Sequence, residues 1–305
     1  MDLLDLPAHA PTDLPRPDRP IGPDGLGLQV GPAVLGHDGT SVWRAMLAPH
    51  GLDGPPGVLQ GGLAAGLAVD LAKDVDRFGA PLHAVHARLE APTLLGIPFA
   101  ARIGPGEATG WYDVETWQSG RRLMRATVEL TGPASLGVVA DLVALAEGSP
   151  PEPRPDPLYP SCFVCGSGNT HELALRTPPG FYAHDRISVP WIPDERLAEP
   201  SRPGEVATLV VSAALDCPAA WATVGTARSA GFAAVLLGTM RIQVAHPVEV
   251  LDPVRVTARM DGSDGRKFRA RSAIVDSDGR LLAVFDALNI AVDALPHDDV
   301  RSATR

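Results

Sequence analysis

A proline-rich segment divides the chain into two halves of similar length. Residues 150–160 contain six prolines. Because proline lacks a backbone N–H and fixes φ, this segment cannot form a helix or an inner strand, and it is typical of a semi-rigid linker. Two domains are therefore predicted, at 25–149 and 161–295, with an extended Pro-rich tail at 1–24 and a short tail at 296–305.

The two halves share four features in the same order, which indicates an internal repeat. The matched segments are Gly57–Asp70 with Gly204–Cys217, Leu89–Pro92 with Val244–Pro247, Ile97–Phe99 with Asp252–Val254, and Ser119–Arg121 with Asp278–Arg280. The first pair opens an apolar helix in each half. The last pair is typical of hairpin turns, because glycine accepts positive φ.

Each half is predicted to hold one long helix and three or four antiparallel strands, an α+β fold. Strand-type composition and period-two alternation define the strands. They fall near 82–91, 97–104, 108–118 and 121–131, and near 233–246, 253–261, 266–276 and 280–292. Residues 135–147 are predicted to form a short connecting helix.

Several motifs lie on these elements. In half one they are the helix entry Gln60-Gly61-Gly62, His83 and His86 before a strand ending in Pro92, and Tyr112–Thr116 followed by Gly120-Arg121. In half two they are Cys162–Gly166 with Asn169 and Leu173, then Ala213–Asp216 with Trp221-Ala222. Half one resembles the acyl-CoA thioesterase II family, and half two resembles the small phenylacetyl-CoA-type thioesterases. The resemblance implies a double hotdog fold and hydrolysis of an acyl-CoA or acyl-carrier thioester.

The helix starts differ from the pattern in a complementary way. The usual His-Gly-Gly entry reads Gln60–Gly62 in half one and Ala207–Leu209 in half two, and the helix carboxylate position holds Val69 and Asp216. A carboxylate nine residues along a helix lies about 13 Å from that helix's own start, so it must serve the other half. One composite site is predicted, with the glycines from half one and Asp216 from half two.

Thioester hydrolysis assigns roles to these residues. Backbone N–H groups at a helix start polarise an oxygen, and glycine allows close approach, so Gly61 and Gly62 are predicted to form the oxyanion site. The thioester carbonyl would be held by the N–H of Gly62 or Leu63. Asp216 would act as base or nucleophile, or else as an interface carboxylate. Gln60 would orient water or the thioester, or cap the helix.

The family resemblance also implies a Thr and a Gln beside the aspartate. The residues nearest the matching strands are Thr239 and Asn289, so these join Leu63 as predicted substrate-binding residues. Asp70 lies one position past the helix carboxylate position and is predicted to be a solvated or interface acid.

The cysteines raise the question of a metal. Cys162-x-x-Cys165, with His171, could hold zinc, but a structural zinc site usually needs four ligands and the sequence has no second Cys-x-x-Cys. We therefore predict no metal site, and an inert, buried Cys217. No cofactor is predicted, since CoA would enter as part of the substrate.

The composition predicts which classes of partner the protein binds and in which compartment it lies. The net charge of −10 argues against nucleic acid. The apolar stretch 57–72 is Gly-rich and 206–223 contains Asp216, so no membrane span is predicted. Three cysteines and an N-terminus without a basic segment favour the cytoplasm. The partner is predicted to be an acyl-CoA-type substrate, with a homo-oligomer of the two-domain unit left open.

Two other functions remain open at this stage. The altered helix entries are compatible with a non-catalytic hotdog protein that binds an acyl-thioester or a protein partner. A hotdog hydratase or dehydratase would need an Asp-x-Asn-Pro-x-His motif or a His/Glu pair, and neither is present.

Overall fold

The computed structural model describes residues 7, 10–11, 13–137, 139–154 and 159–294. The first half contains, in chain order, β1 (Arg19–Pro20), β2 (Gln29–Val30), β3 (Val34–Leu35), β4 (Val42–Leu47), α1 (Gly61–Val75), β5 (Ala84–Leu89), β6 (Phe99–Pro105), β7 (Trp111–Gln118), β8 (Arg121–Glu129) and α2 (Ala140–Glu147). The long helix, the four predicted strands and the short connecting helix are all present. The strands β5 to β8 end within three residues of the predicted bounds, and α2 begins five residues later than predicted.

The second half repeats this arrangement. Its elements are β9 (Gly180–Ala183), β10 (Arg186–Trp191), β11 (Ala198–Glu199), β12 (Arg202–Val206), α3 (Thr208–Ser229), β13 (Ala234–Val244), β14 (Val254–Asp264), β15 (Lys267–Asp276) and β16 (Leu281–Val292). Single 3-10 turns lie at Asp24–Leu26 and Glu195–Leu197. All four predicted strands of this half are present as β13 to β16.

The two halves join edge to edge in one antiparallel sheet. Its main order is β4-β6-β7-β8-β5 followed by β13-β16-β15-β14-β10, with the short strands at the two ends. The join is the β5–β13 pair, in which Ala87 faces Met240 and Val85 faces Ile242. Each half wraps its own long helix, so the repeat predicted from the sequence is the architecture of the fold.

Helices α1 and α3 cross in contact at the centre of the molecule. A Cβ added at Gly62 would lie 2.5 Å from the carbonyl oxygen of Ser212, and one at Gly66 would lie under 3.0 Å from the Cα of Leu209. Gly62 lies against Ser212, and Gly66, one turn further along α1, lies against the earlier residue Leu209 of α3. The two helices are therefore antiparallel. Glycine on α1 lets the two backbones approach this closely.

Helix α3 is long and apolar enough to cross a membrane, but 83% of its apolar window is buried inside the fold. Its apolar residues pack against α1 and the second half of the sheet. This burial is the environment of a core helix.

The structure describes parts of the predicted N-terminal tail and of the linker. Arg19–Pro20 pairs with β2, and Ile21 is buried, so this part of the predicted N-terminal tail packs on the first half. The N–H of Arg154 in the linker donates to Pro179 O. Residues 155–158 of the linker and the tail at 296–305 lie outside the described residues.

The first half alone is expected not to be a stable monomer. Without β13, the edge of β5 would expose unpaired backbone groups, and α1 would lose the face covered by α3. Expression of residues 25–149 should give an aggregating or homodimerising product in light-scattering chromatography. A soluble monomer with a cooperative unfolding transition would contradict this expectation.

Candidate active site

The start of helix α1 is the point where the two halves share polar groups. Gln60 caps the helix, since its Oε1 accepts from the N–H of Leu63 at 2.7 Å. Its Nε2 donates to Asp216 Oδ2 at 2.6 Å. The same oxygen accepts from the N–H of Gly62 at 2.9 Å. Asp216 of the second half therefore contacts the start of the first half's helix. The composite site predicted from the sequence requires this contact.

These bonds change which backbone group can hold a substrate oxygen. The N–H groups of Gly62 and Leu63, which the sequence analysis assigned to the thioester carbonyl, already donate to Asp216 and Gln60. The N–H of Gly61, the first residue of α1, has no acceptor among the described residues. The first N–H groups of a helix lack intrahelical partners and lie at the positive end of the helix dipole. Gly61 thus supplies the free donor.

Asp216 is buried but reaches the cavity with one oxygen. Burial raises the pKa of Asp216 to about 7; the bonds from Gly62 and Gln60 act in the opposite direction, and the charge of Cys162 adds to the rise. Both hydrogen bonds go to Oδ2, while Oδ1 has no partner among the described residues. Oδ1 is therefore available to a water molecule or a ligand.

A cavity of ≈ 290 Å³ opens beside Asp216 between the two halves. Gln60, Gly61 and Asp216 form its polar end. Most of the remaining wall is apolar and comes from both halves; it includes Leu89, Pro92, Met124, Val224, Val235, Leu237 and Ile290. An apolar wall with a few convergent polar groups is the usual form of a small-molecule site, at the lower end of its size range.

Three predicted substrate-binding residues lie outside this wall. Leu63 is buried in the α1 core, and Thr239 lies on β13 opposite Arg88. Asn289 is fully buried under α3, where its Nδ2 lies 3.4 Å from Ala219 O and Thr223 Oγ1. Asn289 therefore packs helix α3 on the sheet, and none of the three faces the cavity.

Sequence reasoning missed a cluster of three thiols on the same wall. Cys162, Cys165 and Cys217 are buried, and their Sγ atoms all lie within 4.8 Å of one another. His171, considered above as a zinc ligand, is not part of the cluster; its ring packs edge-on against Phe163. The Tyr159 hydroxyl lies on this wall too, buried and without a hydrogen-bond partner among the described residues.

Asp70 lies near the start of α3, one position past Val69, the residue that corresponds to Asp216. It is an interface acid but not a solvated one, because it is 6% exposed and neither carboxylate oxygen has a hydrogen-bond partner among the described residues. Burial raises its pKa to about 7, the charge of Lys73 lowers it and that of Glu199 raises it. Lys73 itself pairs with Glu199 at 2.6 Å.

The buried Asp70 is expected to make stability pH-dependent. Its folded-state pKa of about 7 exceeds the ordinary 3.8, so the folded state holds the proton more tightly than the unfolded chain. The contribution of Asp70 to stability is therefore greatest at low pH, falls as pH rises from about 4 to about 7, and levels off above. Asp70→Asn should raise the free energy of unfolding at pH 8 by roughly 4 kcal/mol, and by less at pH 5. Urea unfolding at both pH values measures this; an equal change at both would contradict it.

Three arginines pair with Glu90, a residue of the cavity lining. Arg122 contacts Glu90 at 3.0 Å, Arg125 at 3.4 Å and Arg88 at 3.8 Å. The side chains of Arg88 and Arg125 remain 58% and 53% exposed, so they can also meet a ligand.

Comparison with solved structures identifies the architecture. An acyl-CoA thioesterase II, TesB2, from Mycobacterium marinum superposes with a TM-score of 0.57 at 12% identity, covering 83% of this chain and 92% of that one. A tesB protein from Mycobacterium avium subs paratuberculosis gives 0.53 at 16% identity, covering 87% and 92%. The fold is a double hotdog. The dehydratase domain of PpsC from Mycobacterium tuberculosis, solved with C12:1-CoA, shares it as well, with a TM-score of 0.59 at 16% identity and coverage of 86% and 98%.

No family model and no curated protein matches the sequence. Because thioesterases and dehydratases both have this fold, the fold alone does not select an activity. The residues of the cavity must do so.

Proposed function

We propose that the protein hydrolyses an acyl-CoA thioester at the single site formed by Gly61 of the first half and Asp216 of the second. The observation that supports this most directly is the position of the Asp216 carboxylate. It is held on the start of α1 by Gly62 and Gln60, and it faces an apolar cavity with its second oxygen free. A base and a free helix N–H thus meet at the polar end of a cavity suited to an acyl group.

The proposed reaction uses these two groups in sequence. Asp216 Oδ1 takes a proton from a water molecule while the water oxygen attacks the thioester carbonyl carbon. The carbonyl oxygen becomes negative and is stabilised by the Gly61 N–H and the positive end of α1. The C–S bond then breaks, and the proton on Asp216 passes to the leaving sulfur. The products are a carboxylic acid and a free thiol.

Gln60 acts as a positioning residue in this scheme. Its amide oxygen is fixed by Leu63 N–H, which aims its Nε2 at Asp216 Oδ2. This orients the carboxylate so that Oδ1 faces the cavity. Of the two roles predicted for Gln60, helix capping is observed. Orientation of water or the thioester by Gln60 stays a prediction.

The arginines that pair with Glu90 favour CoA as the leaving group. CoA carries phosphates, which arginine binds well through charge-assisted hydrogen bonds. Arg88 and Arg125 are half-exposed and pair with Glu90, which lines the cavity. An acyl-CoA bound there would place its acyl group among the apolar residues.

A dehydratase function finds less support in the same cavity. Loss of water from a 3-hydroxyacyl thioester needs one group to remove the α-proton and another to protonate the leaving hydroxyl. In the part of the chain that the structure describes, the cavity lining holds no histidine, and its carboxylates are Glu90, already paired with arginine, and Asp216.

The proposal is tested by incubating the full chain with acyl-CoAs of different chain length and with aryl-CoAs. Chromatography with mass detection should show equal amounts of free CoA and acid. The same acyl group on N-acetylcysteamine should have a higher KM, because the phosphates are missing. Binding of acyl-CoA without release of thiol would favour the non-catalytic alternative. Hydration of an enoyl-CoA, seen as loss of its absorbance, would favour the dehydratase.

A further inference from the structure

Three thiols from distant parts of the chain converge on the cavity wall. Cys162 and Cys165 lie in the segment that enters the second half, and Cys217 lies in α3. Their Sγ atoms lie within 4.8 Å of one another, with Cys162 and Cys217 at 3.6 Å. A disulfide needs about 2.05 Å, so all three are free thiols.

These separations suit a tetrahedral metal. With Zn–S bonds of about 2.3 Å, tetrahedral geometry places neighbouring sulfurs about 3.8 Å apart. The observed separation of Cys162 and Cys217, 3.6 Å, lies within a few tenths of an ångström of this value. The third sulfur needs at most a small rotamer adjustment to reach the same distance.

The turn that presents Cys162 and Cys165 is fixed by the backbone. The N–H of Gly166 donates to Cys162 O at 2.9 Å, which closes the turn. A Cβ at Gly166 would lie 2.5 Å from the Cys162 nitrogen, so the turn requires glycine.

We infer that Cys162, Cys165 and Cys217 bind one Zn²⁺ ion, with the fourth coordination position open toward the cavity. All three residues line the cavity, and so does Tyr159, whose buried hydroxyl has no hydrogen-bond partner in the described part of the chain. A water or ligand oxygen on the ion would give that hydroxyl a hydrogen-bond partner. The Gln60 Nε2, 3.9 Å from Cys217 Sγ, links the cluster to Asp216.

The three thiolate ligands favour zinc. Soft thiolates favour zinc over magnesium, calcium and manganese, which prefer oxygen ligands. Iron–sulfur clusters are normally held by four cysteines, and the whole chain has three. Three protein ligands with an open fourth position are the arrangement of zinc sites that bind water or substrate.

The sequence analysis excluded a metal because it counted ligands along the chain. Cys165 and Cys217 are 52 residues apart in the sequence, and only the fold brings them together. The inference does not rest on thioester hydrolysis. Metal content can be measured whether or not the protein turns over an acyl-CoA.

The test uses the full chain, purified with a thiol reductant and without chelators. After dialysis against ZnCl₂ and then against metal-free buffer, elemental analysis should find one zinc per chain. Replacement by Co²⁺ should give thiolate-to-cobalt charge-transfer absorption and the visible bands of a tetrahedral site. Cys217→Ser should weaken zinc binding by more than about 100-fold, since loss of outer-shell partners alone costs 10–100-fold.

His171→Gln is the matched control and should keep the zinc and the cobalt spectrum, because His171 lies outside the cluster. The wild-type measurement stands even if Cys217→Ser fails to fold. Wild-type protein that binds no zinc at saturation, or whose cobalt spectrum lacks the thiolate band, overturns the inference. A disulfide between Cys162 and Cys217 in reductant-treated protein overturns it equally.

Discussion

Turnover of the best acyl-CoA substrate is expected to fall by about 10²-fold or more when Asp216 is replaced by asparagine. The amide keeps the size of the carboxylate but cannot accept a proton from water. Its oxygen can still accept from the N–H of Gly62, so the contact between the helices is retained. Steady-state thiol release, with KM and kcat separated, measures the effect, and most of the loss should appear in kcat.

Asp70→Asn is the control for this substitution. Asp70 is also buried where α1 and α3 meet, yet it does not line the cavity. Its variant should keep wild-type turnover within a few-fold at the same pH. Circular dichroism and zinc content should match the wild type in both variants. Full activity in folded Asp216→Asn, or loss of activity in Asp70→Asn alone, would contradict the single-site proposal.

Local patterns predicted most of the fold. The strand predicted at 121–131 is Arg121–Glu129, because its alternation and its Ser-Gly turn are properties of adjacent residues. The strand predicted at 82–91 ends earlier, at Leu89, because the N–H groups of Glu90 and Ala91 both donate to Leu123 O. Both residues then line the cavity. The end of β5 is set by tertiary contacts, and the alternation of apolar and polar residues along the sequence cannot reveal these.

Only one feature of the site could be predicted from the sequence, namely that the helix of one half supplies the glycines and the helix of the other half supplies the carboxylate. The loss of glycines in half two and of a carboxylate in half one placed Asp216 beside the start of α1. Which N–H groups stay free depends on distances of tenths of an ångström. The N–H groups of Gly62 and Leu63, predicted to hold the carbonyl, are already hydrogen-bonded, and the free N–H belongs to Gly61.

A second large effect is expected at the helix crossing. Gly66→Ala should lower the free energy of unfolding by about 3 kcal/mol, near the upper end of typical overpacking costs. The new methyl group would lie under 3.0 Å from the Cα of Leu209, and a backbone atom of a central helix cannot rotate away. The helices must separate, which would also strain the contact between Gly62 and Asp216.

Gly225→Ala in α3 is the matched control, because it makes the same change inside a helix but in open space. The nearest atom to its Cβ would be His184 O at 3.7 Å, an ordinary contact. Alanine is the better helix former by about 1 kcal/mol, so this variant should be as stable as the wild type or more stable. Urea unfolding of both variants isolates the helix–helix contact, since helix propensity contributes equally to each. Two variants of equal stability would show that α1 and α3 do not touch at Gly66, and the close crossing that docks Asp216 on α1 would lose its basis.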